Sequence, residues 1–376
     1  MAAGRRTLLK TLIPLLCSLA IFFAWSAVSN GLATGGPNDF LAFYAGGKLA
    51  GTGALYEPDA VRQVEIQACG GWSPALLFIR PAFYAHLLKP LTMLPFAQAL
   101  IIWKLLLIAA VLASVMVLWR AAPDYALLCA ISLPLLLSIG NGQDVALLIL
   151  AASGALVLLR RDRDLAAGLV LSLCAIKFHL LVLVPVAFIA PRKWRALAGF
   201  LVGIATLAAA SIGLEGTASI REYAAILARP GISPHAEQMG NLRTLAEAVH
   251  LPAIELALAA MVVLLACAAM RGRDAESGLA FAIAAGLVLS GHAYPQDFAL
   301  LLPFLALFRG KEAGRPEKLI VQCLLLPFPY LLLFLGRPFD AALPLLIIAL
   351  LICGAMARGF YLYAGMPVTR SPITSA

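Results

Sequence analysis

The chain has 376 residues, of which 62% are hydrophobic and 12% charged, with a mean hydropathy of +0.94. A soluble domain is about one-quarter charged, so the composition excludes a soluble protein and marks a polytopic helical membrane protein. The formal charge of +9 does not indicate nucleic-acid binding, because the basic residues sit in short loops between apolar runs, as membrane topology requires.

Apolar segments are expected at 8–28, 97–118, 125–139, 144–159, 165–176, 180–190, 196–214, 252–270, 278–290, 297–308, 318–335 and 341–357. In the first, Arg5, Arg6 and Lys10 precede an apolar run of about 20 residues. That exceeds a signal peptide's apolar core, so an uncleaved span is expected. Asn38-Asp39-Phe40 follows. Asn38 is placed to cap a short helix, with Asp39 in its first turn, where the helix dipole favours an ionised carboxylate. Phe40, Phe43 and Tyr44, at i, i+3 and i+4, give that helix an apolar side suited to a membrane surface. The plain reading is an interfacial helix with an ordinary capping acid.

From Ile79 to Pro95 the chain is apolar but cut by Arg80, Pro81, His86, Lys89 and Pro90, which predicts a re-entrant or interfacial helix, not a span. Segments 165–176 and 180–190 are shorter than the roughly 17 residues a span needs. Basic clusters flank them, Arg160-Arg161-Asp162-Arg163 and Arg192-Lys193-Trp194-Arg195. Either one helix runs through, or two half-helices meet at Lys177-Phe178-His179. We prefer the second, which lets a lysine and a histidine line a cavity at a bend.

Twelve crossings from a cytoplasmic N-terminus return the C-terminus to the cytoplasm. Most of the 28 Lys and Arg, including Arg120, Lys193, Arg271, Arg273, Arg309, Arg315 and the basic tail at about 358–376, then lie inside. The large outer pieces are 30–96 and 215–251. No repeat or linker divides the chain, so residues 1–376 read as a single membrane domain.

On this topology the histidines at 86, 179, 235, 250 and 292 fall on the outer side. So do Asp39, Asn141-Gly142-Gln143-Asp144, Lys177, Arg243 and His292-Ala293-Tyr294-Pro295-Gln296-Asp297. Ionisable groups concentrated at the outer ends of helices point to a catalytic or binding cavity. Bland readings stand beside this one. Gly140-Asn141-Gly142 is also an ordinary turn, Gln143 and Asp144 also satisfy helix ends, and His292 is also a structural hydrogen bonder. Lys177 needs an anion or a carbonyl cluster to offset its desolvation.

H-E-x-x-H, Walker and G-x-G-x-x-G motifs are absent. The seven cysteines form no C-x-x-C pair, so neither disulfides nor a zinc site are indicated. No cofactor is expected, and a divalent metal is not indicated. The cytoplasmic loops are too short for a nucleotide-binding domain, so if the chain is an enzyme its donor must reach it through the membrane, not as a soluble nucleotide sugar.

Taken in order, several residues form a pattern. Asp39, Phe43, Tyr44, Leu55 and Tyr56 come first, then Pro90-Leu91 to Leu94-Pro95, Trp103 and Gly142-Gln143-Asp144. Ala167-Gly168-Leu169 to Lys177, Arg192 to Leu197, Gly240-Asn241 and His292 with Tyr294 follow. The chain thereby resembles polyprenol-phosphate-sugar-dependent membrane glycosyltransferases of the GT-C class, and among them bacterial glycosyltransferase family 87, whose known members are mycobacterial α-mannosyltransferases. It departs from the family's pattern at Arg80, where an aromatic often precedes the proline, and at Asp144, where Asn is usual. Phe178-His179 stand where proline often follows the lysine, and Leu242-Arg243-Thr244 stand in place of Gln-Ser.

The resemblance implies an all-α, GT-C-like polytopic fold of about 12 membrane segments, with interfacial helices in an extracytoplasmic first loop. It implies a bacterial cytoplasmic (inner) membrane location with the active site facing the periplasm. The reaction would move a sugar, foremost a mannose-like hexose, from a polyprenyl-phosphate donor to a glycolipid or glycan acceptor, with inversion. Asp39 would be the general base, a role for which an ionised carboxylate of unraised pKa suffices. Lys177, His179, Arg80 and Arg243 would face the leaving phosphate, with His292, Tyr294, Gln143 and Asn141 also at the donor. Phe43, Tyr44 and Tyr56 would pack on substrate. The competing reading is a transporter or flippase with Gly/Pro-broken helices, and a third is a structural subunit whose outer polar residues tolerate substitution.

Overall fold

The computed structural model describes residues 38–71, 76–229, 239–248, 253–309 and 314–363. The expected span at 8–28, His235, His250 and the end of the basic tail lie outside them. The described residues are helical throughout their ordered elements, without a strand. In chain order the first helices are α1 (Phe40–Leu49), α2 (Pro58–Cys69), α3 (Ala82–Leu88), α4 (Phe96–Leu118), α5 (Tyr125–Ile131) and α6 (Leu133–Gly140). Then come α7 (Val145–Arg160), α8 (Asp164–Ser172), α9 (Val184–Ile189), α10 (Trp194–Glu215), α11 (Ala218–Leu227) and α12 (Leu242–Ala248). The last are α13 (Ile254–Met270), α14 (Ala275–Leu289), α15 (Leu301–Arg309), α16 (Arg315–Leu324), α17 (Phe328–Leu332) and α18 (Ala342–Tyr363).

Local chemistry sets several boundaries. The expected segment 125–139 is two helices, because Ser132 ends α5 and caps α6 by accepting from Leu135 N at 3.3 Å, with Pro134 in the first turn. Asp274 caps α14 by accepting from Ser277 N at 2.8 Å. The break expected near Lys177 is present: a 3₁₀ run covers Leu173–Leu181, and Lys177 leaves helical geometry at φ −121°, ψ 61°.

Among the described residues four helices are long and apolar enough to cross a membrane: Phe96–Leu118, Asp164–Leu181, Trp194–Glu215 and Phe339–Ala357. The bent pair Arg315–Leu324 and Phe328–Leu335 makes a fifth if it is one span. The protein is therefore a membrane protein; the other expected apolar segments among these residues include the shorter helices Val145–Arg160, Ile254–Met270, Ala275–Leu289 and Pro295–Phe308. Apolar composition marks burial in protein as well as burial in lipid. From Ser277 to Val288, α14 is buried on every side by its neighbours. By contrast α4 and α10 leave Ile101, Leu105, Met116, Leu201 and Val202 exposed, as lipid-facing helices do.

The surface-lying helix expected after Asn38 is instead inside the protein. Phe40 through Gly47 are all buried. The i, i+3, i+4 spacing specifies that an apolar face is covered, not what covers it, and here α2, α3, α4 and the 3₁₀ turn Lys89–Met93 do so. Gly46 and Gly47 admit that packing, since a Cβ there would stand 2.3 Å from Phe78 and 2.5 Å from Thr92. The stretch from Ile79 to Pro95 forms only α3 and that 3₁₀ turn, too short to span.

Four helices carry charged or titratable residues near both ends. Helix α7 runs from Asp144, just before its first residue, to Arg160, and α8 starts beside Arg163 and leads to Lys177. Helix α10 runs from Lys193 to Glu215, and α14 from Asp274 toward His292. At one end Arg160 Nε meets Glu276 at 2.7 Å and Lys193 meets Asp164 at 3.0 Å. At the other end are the loops of the candidate site. Arg273, in the loop between α13 and α14, is buried, pairing with Glu317 at 2.6 Å and lying over Phe281.

Helices α8 and α10 touch backbone to backbone. A Cβ on Gly168 would lie 2.0 Å from Ala196 O, and one on Gly199 2.1 Å from Leu165 O. Small residues at such crossings let apolar helices pack where lipid competes for every apolar surface. Gly168→Ala is expected to lower stability by about 1–3 kcal/mol, the usual cost of overpacking. Gly213→Ala, which meets nothing within 4 Å, should leave it unchanged. Thermal unfolding in detergent compares the two; equal midpoints would show that the crossing tolerates a methyl group.

Candidate active site at a buried charge cluster

The cluster is assembled from five separate stretches of chain. Asp39 precedes α1, Gln143 and Asp144 close the turn between α6 and α7, Lys177 sits at the kink after α8, and Asp297 lies in the 3₁₀ turn Pro295–Leu300. Arg80 precedes α3. The turn at Asn141–Asp144 requires its glycine, because Gly142 has φ +71° and a Cβ there would stand 2.9 Å from Phe40 Cβ. Trp103 of α4 holds the same turn by donating from Nε1 to Gly142 O at 2.7 Å, and its ring stacks on Phe40 at 5.4 Å.

Asp39 is not a capping acid. Asn38 Oδ1 takes the helix-starting N–H of Phe40 at 3.0 Å, while the Asp39 side chain makes no cap bond. Its backbone N–H donates to Asn141 O at 3.0 Å, and its Oδ2 accepts from Gln143 Nε2 at 2.9 Å. The helix start is thus capped by its neighbour, which leaves the Asp39 carboxylate free to face the distant turn.

Behind Gln143 stand two buried cations and two buried carboxylates. Arg80 holds Asp144 with both Nε, at 2.7 Å, and Nη2, at 3.3 Å. Lys177 bonds Asp297 Oδ1 and lies 3.5 Å from Asp144 Oδ1. Gln143 Oε1 accepts from both cations, from Arg80 Nη2 at 3.2 Å and Lys177 Nζ at 3.1 Å. Asp297 is itself fixed, because its Oδ2 accepts from Tyr294 N at 3.0 Å. The three N–H groups of Lys177 therefore all face acceptors within the protein.

The surroundings set the charges. Asp39 is half-buried, and loss of solvation pushes its carboxyl above the usual carboxylate range, although the Gln143 hydrogen bond and the Lys177 and Arg80 charges pull the other way. Burial tends to lower the Arg80 pKa, yet Asp144 more than restores it, and Arg80 stays cationic. Burial pushes His292 down to about 4, so its imidazole is neutral at ordinary pH.

The structure brings Asp39, Arg80, Gln143 and Lys177 into one network, with Asn141 joined through its backbone. His179 and His292 lie beside it, ring centroids 6.3 Å apart, and His292 meets Tyr294 at 5.1 Å. His179 Nε2 is buried with no hydrogen-bond partner among the described residues. Arg243 stands apart, half-exposed and 3.9 Å from Glu255. Phe43, Tyr44 and Tyr56 are interior: Phe43 lies under Arg80 at 5.2 Å, Tyr44 donates to Leu94 O at 2.8 Å, and Tyr56 donates to Arg80 O at 2.9 Å. They brace the site rather than open onto it.

Asp144 and Asp297, which the sequence places on the outer side without assigning them to a cation, are the carboxylates that make Lys177 and Arg80 tenable. The need for an anion near Lys177 was readable from its apolar flanks; which acids met it depends on helix packing. Among the described residues no trio of His, Cys, Asp or Glu is grouped to hold a metal ion.

The sequence model of glycosyltransferase family 87 matches residues 78–295, a stretch that holds Arg80, Gln143, Asp144, Lys177, His292 and Tyr294. No curated protein and no solved structure matches the chain.

Asp144→Ala is expected to destabilise the fold by roughly 3–5 kcal/mol, since it strands a buried guanidinium. The double variant Arg80→Met, Asp144→Leu should recover much of that loss. Thermal midpoints of the two variants in detergent check this; a double variant no better than the single would show that the pair's cost is not one of unpaired charge.

Proposed function

The chain belongs to glycosyltransferase family 87, and we propose that it moves a hexose, foremost mannose, from a polyprenyl-phosphate donor to a glycolipid or glycan acceptor, with Asp39 as general base. The observation that carries this reading is the release of Asp39 from capping. Asn38 does the local work, and Asp39 is held by an amide from 104 residues along the chain. A carboxylate positioned in this way, open to the outside on one side, is suited to take the proton of an attacking hydroxyl.

The hydroxyl oxygen would attack the anomeric carbon as its proton passes to Asp39. The carbon–oxygen bond to the lipid phosphate breaks, the phosphate takes the bonding pair, and configuration inverts. Growing negative charge on the phosphate is favoured by a fixed positive field, for which Lys177 and Arg80 are the sources. Their donors already face Asp144, Asp297 and Gln143, so in this reading they act by field and by holding the site rigid. The neutral His179 and His292 rings, with Tyr294, are then the direct donors to sugar or phosphate oxygens. Every site residue lies at the helix ends opposite the basic loops around Arg160 and Lys193. Under the positive-inside rule this supports a reaction on the outer face of a bacterial cytoplasmic membrane.

Asp39→Asn is expected to insert and fold but to lose transfer by at least about 100-fold, the lower range for a positioned base. Asn38 remains to cap α1, and the amide oxygen of the new side chain still accepts from Gln143. In the wild type the base must be ionised, so the rate falls as pH drops through the Asp39 pKa, and the acid limb should lie above 3.8. Loss of polyprenyl-phosphate mannose, followed with purified protein and membrane glycolipid as acceptor, measures both. An Asp39→Asn protein at wild-type rate removes Asp39 from the mechanism.

A further inference from the structure

The side chain of Gln143 has one end that can only accept and one that can only donate. Arg80 and Lys177 can only donate, and both point at it, from 3.2 Å and 3.1 Å. The amide oxygen must therefore face the cations, because a flipped amide would turn its own N–H groups against two positive charges. That requirement fixes Nε2 toward Asp39 Oδ2, 2.9 Å away. The orientation follows from the chemistry of the partners and not from a choice between nitrogen and oxygen.

Both ends of this contact are pinned by backbone. Gln143 N donates to Ser138 O at 2.8 Å, and its carbonyl accepts from Ser138 Oγ at 3.3 Å. Asp39 N donates to Asn141 O within the same turn. Asp39 Oδ1, the second carboxylate oxygen, has no hydrogen-bond partner among the described residues, and it is the oxygen left to meet an acceptor hydroxyl.

We propose that Gln143 is a positioning residue: its amide, oriented by Arg80 and Lys177, relays their charge to Asp39 Oδ2 and aims Oδ1 at the acceptor. This rests on the reading of Asp39 as the base, and it gives Gln143 a role distinct from contact with the donor. The charged groups acting on Asp39 are Lys177 and Arg80, which favour its ionised form, and Asp297, which opposes it. Asp144 acts behind them by holding Arg80. Without the amide, the carboxylate loses its one fixed donor while Asp297 remains.

Two variants test the relay. Gln143→Met removes both ends of the amide. Gln143→Glu keeps an acceptor for Arg80 and Lys177 but withdraws the N–H from Asp39, and being isosteric it covers the case where the first variant fails to fold. Asp39 is titrated directly by difference infrared spectroscopy of the full-length protein, its carboxyl band identified by loss in Asp39→Asn at each background. The expected result is a midpoint higher by about one pH unit in either variant. Under the same conditions kcat for polyprenyl-phosphate mannose should fall roughly tenfold on the acid side while KM moves less than about twofold.

An unchanged Asp39 midpoint in a folded variant would overturn the proposal. So would a raised KM with kcat intact, which is what a direct donor contact gives. A wild-type protein that leaves the donor untouched at every pH removes the transferase reading instead, and the infrared midpoint still decides whether Gln143 governs Asp39.

Discussion

Two buried cations set the terms for the rest of this molecule. Arg80 and Lys177 are each almost wholly removed from solvent, and a charge in that position is tolerable only when paired and hydrogen-bonded. Asp144 and Asp297 meet the demand, and neither is near its partner in sequence. Satisfying them draws together the start of α3, the turn into α7, the kink after α8 and the 3₁₀ turn before α15. Ion pairs of this kind add little net stability against an apolar alternative. What they do supply is a single arrangement, because any other packing of these helices leaves a charge unpaired.

The apolar scaffold around the cluster obeys a different constraint, that of close approach. Phe40 stacks between Phe96 and Trp103, and Phe43 lies against both Trp103 and the Arg80 guanidinium. Phe78, Thr92 and Phe40 fill the space that Gly46, Gly47 and Gly142 leave open. Trp103 belongs to both systems, since its face packs in the aromatic floor and its N–H fixes the turn that presents Gln143. Packing and polar chemistry are thus joined at one side chain. A change in the floor is felt at Asp39 through the turn.

Much of this was legible in the residues, and the limits have physical causes. The all-helical membrane class followed from composition, and the break at Lys177 from two segments each too short to span. That Asp39, Gln143 and Lys177 belong together was anticipated on chain order and chemistry. Helix α1 was misplaced on a membrane surface because amphipathic spacing does not reveal what a face is packed against. Composition leaves the number of spans open for a related reason: α14 is as apolar as a lipid-facing helix although protein encloses it. Arg80 and Asp144, both departures from the family pattern, bond each other. Each looked like an isolated irregularity until the fold placed them side by side. Arg243 read as a cation for the site because a loop charge carries no information about its direction.

The length of α7 carries a consequence for the medium in which the site operates. Its 16 residues span about 24 Å at 1.5 Å per residue, against a hydrocarbon thickness of about 30 Å. A bilayer that wets Arg160 at one surface therefore leaves Asp144 short of the other, and any tilt deepens it. Mobile ions screen charges over about 10 Å in 0.1 M salt, but they do so in water and far less among buried groups. The field that Lys177 and Arg80 cast on Asp39 is accordingly set by the protein and nearly indifferent to the ionic strength of the surrounding fluid. A membrane protein built this way keeps its internal electrostatics constant while the surrounding fluid is diluted or concentrated.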